Sequence, residues 1–436
     1  MNRSLSRLYR KRRAKETGLL IRLGALPRGM AKAISAVRDA LDAADTAALV
    51  LCGDEGLFRF VKKNADPLGA LRPSLEKMQK TIDALIGKIN PIINTVDKED
   101  PTVWEVKAIL RRFESAAVIC SAFLEFGLDK QEDASEVFWL ERSGGNDPWA
   151  AFNVTPVSIA PSLKEALFEA SKTVVCVSAT LSAGGFENDV EKTAALFHFW
   201  AERTGAIFAD RKLLCGIFPS PFPYDTQTLL AVPSDAPLPD SLQYQAFTSH
   251  AITELVRLTG GSALVLFTSY QALRNAFEEC SPVLEKEGIT CLKQGDDDRT
   301  RLLQRFLEEK TSVLFGTDSF WEGVDAPGET LRLLILCRLP FKTLKDPVFE
   351  ARREYLENSG RNSFVELSLP DAVMKFKQGF GRLMRNSSDY GAIVVLDGRL
   401  LHKLYGKTFL GSLPETKTSF KEFDGILLDM ERFFYS

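Results

Sequence analysis

Short apolar runs that alternate with amphipathic helical stretches constrain the fold of this chain most strongly, from about residue 150 onward. The six runs are Thr173–Ser178, Thr228–Val232, Ala263–Thr268, Val313–Phe315, Leu333–Cys337 and Ile393–Leu396. Nearly continuous apolar character is typical of strands that are buried on both faces of a parallel sheet. Strand and helix in alternation predict a doubly wound α/β domain, in which ligands bind beyond the carboxyl ends of the strands.

Residues 1–150 show helical periodicity and little strand patterning. Apolar residues recur at three- and four-residue steps in two stretches: Leu75, Met78, Ile82, Leu85 and Ile89, then Val106, Ile109, Leu110, Phe113, Ala117 and Cys120. Such spacing places each set on one face of a helix. Pro91 and Pro101 are expected to interrupt the helical pattern. We therefore predict a helical bundle or hairpin over this region.

The overall charge is nearly balanced, with 55 Lys and Arg against 58 Asp and Glu and a formal net charge of -3. This balance excludes a highly basic, histone-like protein but is compatible with a local basic face. The first 32 residues carry ten Lys and Arg and one acid, Glu16. That segment is either a surface that contacts nucleic-acid phosphates or a solvated helix face, and an organelle transit peptide has a similar composition.

Metal, disulfide and membrane patterns are missing from the sequence. The seven cysteines form no Cys-x-x-Cys pair, and His198, His250 and His402 stand far apart. These spacings argue against a zinc site, iron–sulfur ligands in this chain or a disulfide framework, so no metal site is predicted. No run of 18 apolar residues lacks a charge, so we expect no membrane partner and a reducing, cytoplasmic location.

Three side chains between residues 378 and 385 combine an amide with two guanidiniums. On a continuous helix, Gln378, Arg382 and Arg385 would share one face. Gly379 and Gly381 would allow a close approach by a ligand or another backbone. Paired guanidiniums suit the charge that develops in phosphoryl transfer, although a surface helix with ion-paired arginines fits the same pattern.

A glycine-bounded polar segment follows the run that ends at Phe315. Gly316 and Thr317 begin it and Asp325 closes it, so its amides are candidates for binding phosphate and its carboxylates for binding sugar hydroxyls. The alternative is a plain connector that Trp321 anchors in the core, and we expect Trp321 itself to be a core residue.

Hydroxyl side chains end two other apolar runs. Ser178 and Thr180 follow one run, where they could bond across a domain interface or cap the next turn. Thr268 and Ser269 end another run, where they suit phosphate contacts or helix capping.

Together and in this order, these segments resemble the motifs of the DinG-like branch of the XPD-type superfamily 2 helicases. Ser178-Ala-Thr-Leu181 is similar to motif III, Leu266–Ser269 to motif IV, Gly316–Asp325 to motif V and Gln378–Arg385 to motif VI. The ending of the family is matched by Asp389, the Gly391–Asp397 run, Arg399, Tyr405-Gly-Lys407 and Ser412-Leu-Pro414. The resemblance covers residues 150–436 well. Residues 1–150 occupy the place of the family's helical Arch domain.

The resemblance implies a DNA-dependent ATPase in which two RecA-like domains clamp ATP and track along single-stranded DNA. It implies that Arg382 and Arg385 are arginine fingers and that Gln378 senses the nucleotide. Gly316 and Asp325 would lie at the nucleotide, Ser178 and Thr180 would link the ATP state to domain closure, and Thr268, Ser269 and Thr317 would hold DNA. The implied cofactors are ATP and Mg²⁺.

The sequence departs from the family in having no Gly-x-x-x-x-Gly-Lys-[Ser/Thr] loop and no Asp-Glu-x-His motif. Without these, the isolated chain is expected to be inactive. We predict a helical Arch-like region over residues 1–150, the tail of a first RecA-like domain over 151–218 and a whole second RecA-like domain over 219–436. A complementary N-terminal helicase polypeptide is the expected partner if the chain arises from a split or truncated reading frame. The alternatives are a non-catalytic nucleic-acid-binding or regulatory protein and a degenerate fragment that barely folds.

Overall fold

The structure is a computed structural model that describes residues 1–12, 15–24, 28–61, 67–97, 99–126, 135–145, 147–185, 189–321, 328–343 and 345–435. It divides into two units, Met1–Val157 and Ser158–Ser436. The division lies close to residue 150, where the sequence pattern is expected to change from helical to alternating strand and helix. None of the helices in the described ranges combines the length and apolarity needed to cross a membrane.

The first unit combines long helices with two small antiparallel sheets. Its helices are α1 (Asn2–Leu8), α2 (Leu19–Arg22), α3 (Met30–Cys52), α4 (Pro67–Thr95) and α5 (Pro101–Glu125). Its strands are β1 (Arg10–Arg12), β2 (Lys15–Thr17), β3 (Leu57–Phe60), β4 (Glu136–Arg142) and β5 (Ala150–Pro156). The β1–β2 hairpin and α1 account for part of the basic N-terminal segment, in which Arg7 pairs with Glu105.

The apolar faces of α4 and α5 are buried as their spacing predicts, from Leu75 to Ile89 and from Val106 to Cys120. The prediction of a helical bundle or hairpin does not hold for the whole region, because β4 pairs with both β3 and β5. Pro91 does not end a helix either, since it lies inside α4. Pro101 is the first residue of α5, where a missing N–H has no cost, and the Asp100 side chain caps that helix through the Thr102 amide (2.7 Å).

The second unit is built on a seven-stranded parallel sheet. Its strands are β6 (Thr228–Ala231), β7 (Ala263–Leu266), β8 (Thr290–Lys293), β9 (Ser312–Gly316), β10 (Leu333–Leu336), β11 (Gly391–Val395) and β12 (Lys417–Ser419). They lie in the order β12-β6-β11-β10-β7-β9-β8. Apolar residues fill both faces of the central strands, as in a RecA-like α/β domain.

Helices cover both faces of this sheet, connect its strands or precede its first strand in the chain. They are α6 (Ala160–Leu163), α7 (Val190–Leu196), α8 (His198–Thr204), α9 (Tyr224–Gln227), α10 (Tyr244–Thr259), α11 (Tyr270–Leu284), α12 (Arg299–Glu308), α13 (Asp318–Trp321), α14 (Pro347–Asn358), α15 (Leu369–Phe380), α16 (Arg399–His402), α17 (Gly406–Gly411) and α18 (Phe423–Tyr435). The three short helices α6 to α8 precede the first strand of the sheet, and two π-helical turns occupy Lys164–Glu169 and Phe364–Ser368.

Five of the six apolar runs form strands of this sheet, and Thr173–Ser178 does not. That run is extended, and Val175 and Val177 are 80% and 89% exposed. A strand exists only where a neighbour supplies backbone partners. Among the described residues, no backbone hydrogen bond joins Thr173–Ser178 to another segment.

Candidate functional site

A cavity of about 1690 Å³ lies in the second unit, and it collects side chains that are far apart in the sequence. Its walls come mainly from segments within residues 172–185, 211–225, 377–385 and 411–415. Five of the predicted site residues line it: Ser178, Thr180, Gln378, Arg382 and Arg385. The fold therefore brings the segments that resemble motifs III and VI to one place.

The helix that carries Gln378 stops before it reaches the arginines. Helix α15 ends at Phe380, and the Gly381 amide makes the closing bond to the Lys377 carbonyl (2.9 Å). The prediction that Gln378, Arg382 and Arg385 share one face of a continuous helix is therefore wrong. Glycine is a poor helix former, and two of them at 379 and 381 weaken the last turn. The turn that follows nevertheless directs Arg382 and Arg385 to the cavity.

The buried carboxylate of Asp389 organises the turn that carries Arg385. Its Oδ2 accepts from the amides of Arg385 (2.7 Å) and Asn386 (2.8 Å). Its Oδ1 accepts from the Gly328 amide (3.1 Å). Three backbone donors satisfy a charge that is only 3% exposed, so Asp389 fixes the main chain from which Arg385 projects.

Trp321 joins the segment after β9 to the arginine turn. Its ring is fully buried, which confirms the expected core role, and a Cβ added at Gly379 would lie 2.9 Å from that ring. Glycine at 379 is thus required by the close packing. The Trp321 carbonyl accepts from Arg382 Nε (3.0 Å), so the same residue orients one of the two guanidiniums.

Ser178 and Thr180 have different surroundings in the cavity wall. The Ser178 hydroxyl accepts from the Thr180 amide (3.3 Å) and so caps its own turn. The Thr180 hydroxyl accepts from Gln378 Nε2 (3.4 Å). This last bond joins residues 198 positions apart and connects the Ser178 turn to α15.

Lys377 is a functional candidate that the sequence analysis missed. Its ammonium donates to the Ser182 carbonyl (3.1 Å), the Ser182 hydroxyl (3.2 Å) and the Gly184 carbonyl (2.9 Å). Burial lowers the pKa of this ammonium. Three neutral oxygens thus hold a partly buried charge, which fastens the 180–185 segment to the helix that precedes the arginines. Nothing in the spacing of residue types marks this lysine among the others.

We expect Lys377→Met to loosen the 180–185 segment, because methionine cannot donate the three bonds. The Ala183 amide, which donates to the Leu196 carbonyl (2.9 Å), reports this loosening by hydrogen exchange. Charge-assisted hydrogen bonds contribute about 1.5 kcal/mol or more, so exchange should accelerate roughly tenfold. Lys375→Met is the control on the same helix, since the Lys375 ammonium lies over the Trp321 ring (5.6 Å). Equal exchange rates in wild type and Lys377→Met would contradict this role.

The same lysine predicts a pH effect on stability. The folded state binds this proton less tightly than the unfolded chain, because burial lowers the pKa from its ordinary 10.5. Between the lowered pKa and 10.5 the unfolded chain holds more of the proton, so the free energy of unfolding rises with pH there. In urea unfolding from about pH 7 to about pH 10, the free energy of unfolding of the wild type should rise relative to that of Lys377→Met as pH increases. A difference that does not depend on pH would rule out this linkage.

The residues predicted to hold DNA lie outside the cavity lining, at the carboxyl ends of the neighbouring strands β7 and β9. Ser269 caps α11 by accepting from the Ala272 amide (3.2 Å). Thr317 donates through its amide (2.7 Å) and its hydroxyl (3.0 Å) to Gln294 Oε1, a partner that the sequence did not reveal. Thr268 precedes Ser269 and is half-buried.

Gly316 and Asp325 complete the predicted set. Gly316 ends β9, and a Cβ there would lie 2.8 Å from the Cβ of Phe320, so glycine lets α13 fold back on the strand. Asp325 lies outside the described residues. Within those residues, no group of three or more His, Cys, Asp or Glu is placed to hold a metal ion.

Known helicases share sequence similarity with this chain. Residues 252–416 match the model of the helicase C-terminal domain family. The ATP-dependent DNA helicase YoaA of Haemophilus influenzae is 31% identical over 350 residues, which cover 80% of this chain and 49% of that protein. The ATP-dependent DNA helicase DinG of Photobacterium profundum is 30% identical over 346 residues, which cover 76% and 48%. The chain therefore contains a helicase C-terminal domain and is similar to the DinG and YoaA helicases over about half of their length.

The fold of this DinG-like chain also resembles that of a solved structure named XPD_Helicase. The two are 13% identical with a TM-score of 0.50, over 92% of this chain and 64% of that structure. This likeness concerns the fold alone. The DinG-like chain spans about half the length of the relatives that it matches.

Proposed function

We propose that this chain supplies the second RecA-like half of an ATP-dependent DNA helicase, which couples ATP hydrolysis to movement on single-stranded DNA. The observation that carries the proposal is the convergence of Gln378, Arg382 and Arg385 with Ser178 and Thr180 on one cavity. Motif-like segments that are separate in the sequence meet at this cavity, which we propose as the nucleotide site. The family supports helicase activity, and the assignment of roles to these residues is our own.

The charge of the cavity lining suits a polyanion such as the triphosphate of ATP. Its basic residues are Lys172, Arg211, Lys212, Lys377, Arg382 and Arg385, and its acidic residues are Asp225 and Glu415. Burial raises the pKa of the Tyr224 hydroxyl, and the positive charge of Arg385 opposes that shift. The positive charge of Arg385 therefore acts on Tyr224, a residue of the cavity wall. A cavity of this size and sign accommodates a nucleotide.

Each residue has a distinct part in the proposed reaction. Arg382 and Arg385 stabilise the negative charge that develops on the phosphoryl oxygens, as arginine fingers do. Gln378 senses the nucleotide and passes its state to Thr180 through their hydrogen bond (3.4 Å). ATP supplies the high-energy phosphoanhydride bond, while Mg²⁺ and the phosphate-binding loop come from outside this chain, since its sequence contains no such loop.

The partner that we propose is a polypeptide with the missing phosphate-binding loop and sheet. The extended Thr173–Ser178 segment offers a backbone edge for strand addition, and exposed Val175 and Val177 would be buried by it. Leu214 and Phe218 also line the cavity and are 79% and 89% exposed. Exposed apolar side chains of this kind mark surfaces that bind another chain.

For DNA, we propose that Thr268, Ser269 and Thr317 contact the backbone of a single strand at the carboxyl edge of the sheet. Gly316 and Asp325 would link this edge to the nucleotide. Both strands β7 and β9 end there side by side, and the Phe267 amide donates to the Gly316 carbonyl (2.9 Å). Hydroxyl and amide donors at strand ends are common phosphate contacts.

Reconstitution tests the proposal directly. This chain is mixed with the portion of a DinG relative that carries the phosphate-binding loop, and ATP hydrolysis is measured with and without single-stranded DNA. The expected result is DNA-stimulated hydrolysis that neither polypeptide shows alone. Failure of a stable mixture to hydrolyse ATP would contradict the proposed role.

The second candidate is a non-catalytic nucleic-acid-binding protein that retains the RecA-like fold. It is favoured by the lack of a Gly-x-x-x-x-Gly-Lys-[Ser/Thr] loop. DNA titrations with and without ATP, in the presence of the complementary polypeptide, separate the two candidates. A helicase half shows an affinity that changes with nucleotide, whereas a passive binder shows salt-dependent affinity alone.

A further inference from the structure

Three aromatic rings form a surface cluster that the nucleotide cavity does not use. Phe341, Phe364 and Tyr405 have ring centroids 5.5–5.9 Å apart, and Phe341 and Phe364 are stacked with an interplanar angle of 26°. Phe409 packs beneath Phe341 (5.8 Å) and is fully buried. The cluster thus has a rigid base, and Phe364 remains 40% exposed at its outer side.

Two of the three rings, Phe341 and Tyr405, lie in strongly basic segments. Residues 338–345 follow β10 and residues 398–407, which include α16, follow β11, and these parallel strands are neighbours in the sheet. The two segments contain no Asp or Glu and six Lys or Arg, namely Arg338, Lys342, Lys345, Arg399, Lys403 and Lys407. The Arg338 guanidinium donates to the Pro239 carbonyl (2.6 Å) and lies over the Tyr244 ring (4.9 Å). We call the three rings and the other five basic side chains the basic–aromatic patch.

Internal contacts account for part of this charge. Arg399 pairs with the buried Asp397 (2.7 Å) and lies over the Phe341 ring (5.7 Å). Lys342 pairs with Asp371 (3.5 Å). Lys345, Lys403 and Lys407 are exposed and lie on either side of the rings in the sequence. The patch therefore presents cations to solvent next to aromatic surface.

Exposed apolar side chains continue the patch. Leu404 is 88% exposed between Lys403 and Tyr405, and Val365 is 54% exposed beside Phe364. Binding a protein partner by apolar contact alone would not require flanking lysines that lack acidic neighbours. Bases stack on exposed rings, while phosphates pair with the surrounding cations, and this combination is typical of surfaces that bind single strands.

We propose that the basic–aromatic patch binds single-stranded nucleic acid, with a base stacked on Phe364 or Tyr405 and phosphates held by Lys403 and Lys407. The inference rests on the proposed function and extends it, because the patch lies beyond strands β10 and β11 rather than β7 and β9. A strand that crosses the carboxyl edge of the sheet would meet both places. Duplex DNA hides its base faces and binds such a patch through its phosphates alone.

Fluorescence anisotropy of a labelled mixed-sequence DNA oligonucleotide of about 20 nucleotides, titrated with the full chain, tests the patch. Phe364→Leu keeps an apolar side chain but removes the stacking face, and we expect roughly tenfold weaker binding. The control is Tyr435→Leu. Tyr435 is 68% exposed and bonds to the Leu258 carbonyl, near the start of β7 at the opposite edge of the sheet. Unchanged melting curves establish that each variant is folded.

The lysines are tested by salt dependence. The double variant Lys403→Gln, Lys407→Gln should reduce the slope of log affinity against log salt by about 1.4, because two phosphates of a single strand would no longer be paired with a lysine. Photocrosslinking of a 5-iodouridine strand to the wild-type chain should label the peptides that contain Phe364 or Tyr405. A duplex of the same sequence should compete more weakly than the single strand.

The outcomes separate this proposal from the proposed function. If the wild-type chain binds the strand but Phe364→Leu and the lysine variant bind equally well, the patch is overturned while the helicase role stands. If the patch variants weaken binding but the reconstituted pair hydrolyses no ATP, the patch stands and the helicase role fails. If the wild-type chain binds no single strand, or crosslinks at other peptides only, the patch is overturned as well.

Discussion

Arg385→Ala is expected to lower DNA-stimulated ATP hydrolysis by the reconstituted pair about 10³-fold, the usual effect of losing a transition-state arginine. In the structure, Asp389 fixes the main chain at Arg385 by accepting hydrogen bonds of 2.7 and 2.8 Å from two amides. The side chain that projects from this turn lines the cavity. A preorganised guanidinium stabilises developing charge without reorganising during the reaction.

The matched control for this experiment is Arg301→Ala, since the Arg301 side chain is 75% exposed on α12 and outside the cavity lining. Steady-state rates at several ATP concentrations should show the Arg385→Ala loss mainly in kcat, with KM changed much less. Arg385→Lys should recover little, because an ammonium lacks the planar fork of a guanidinium. Equal kcat values for wild type and Arg385→Ala would remove Arg385 from the reaction.

Trp321→Ala is expected to destabilise the second unit by about 3–5 kcal/mol, the range for removing a large buried aromatic side chain. The Trp321 ring is fully buried between β7 and α15, with its Nε1 donating to the Phe267 carbonyl (3.4 Å). Its loss leaves a cavity against Gly379, which has no side chain to fill the space. Urea unfolding followed by hydrogen exchange of β7 measures this change in the second unit.

Leu242→Ala provides the comparison for Trp321→Ala, because Leu242 is fully exposed and its removal should change stability by less than about 0.5 kcal/mol. Trp321→Phe should fall between the two variants. A loss below about 1 kcal/mol in Trp321→Ala would show that the ring is not the anchor between the segment after β9 and the arginine turn.

The central strands could be predicted from sequence because burial on both faces imposes a continuous apolar run. Val313–Phe315 and Leu333–Cys337 are such runs, and they became β9 and β10. The edge strands β8 and β12 escaped prediction, since Thr290–Lys293 and Lys417–Ser419 meet neighbours on one side only and keep polar residues. Thr173–Ser178 shows the reverse case, an apolar run without a neighbouring strand among the described residues.

For the candidate site, residue types and their order predicted Gln378, Arg382, Arg385, Ser178 and Thr180, and the structure places these five in the lining of one cavity. Only the tertiary structure decided that α15 ends at Phe380, that Asp389 shapes the arginine turn and that Lys377 holds Ser182 and Gly184. Helix periodicity is a local property that neighbouring residues fix. The capture of a backbone amide or an ammonium by a group far along the chain depends on packing, and no spacing of residues encodes it.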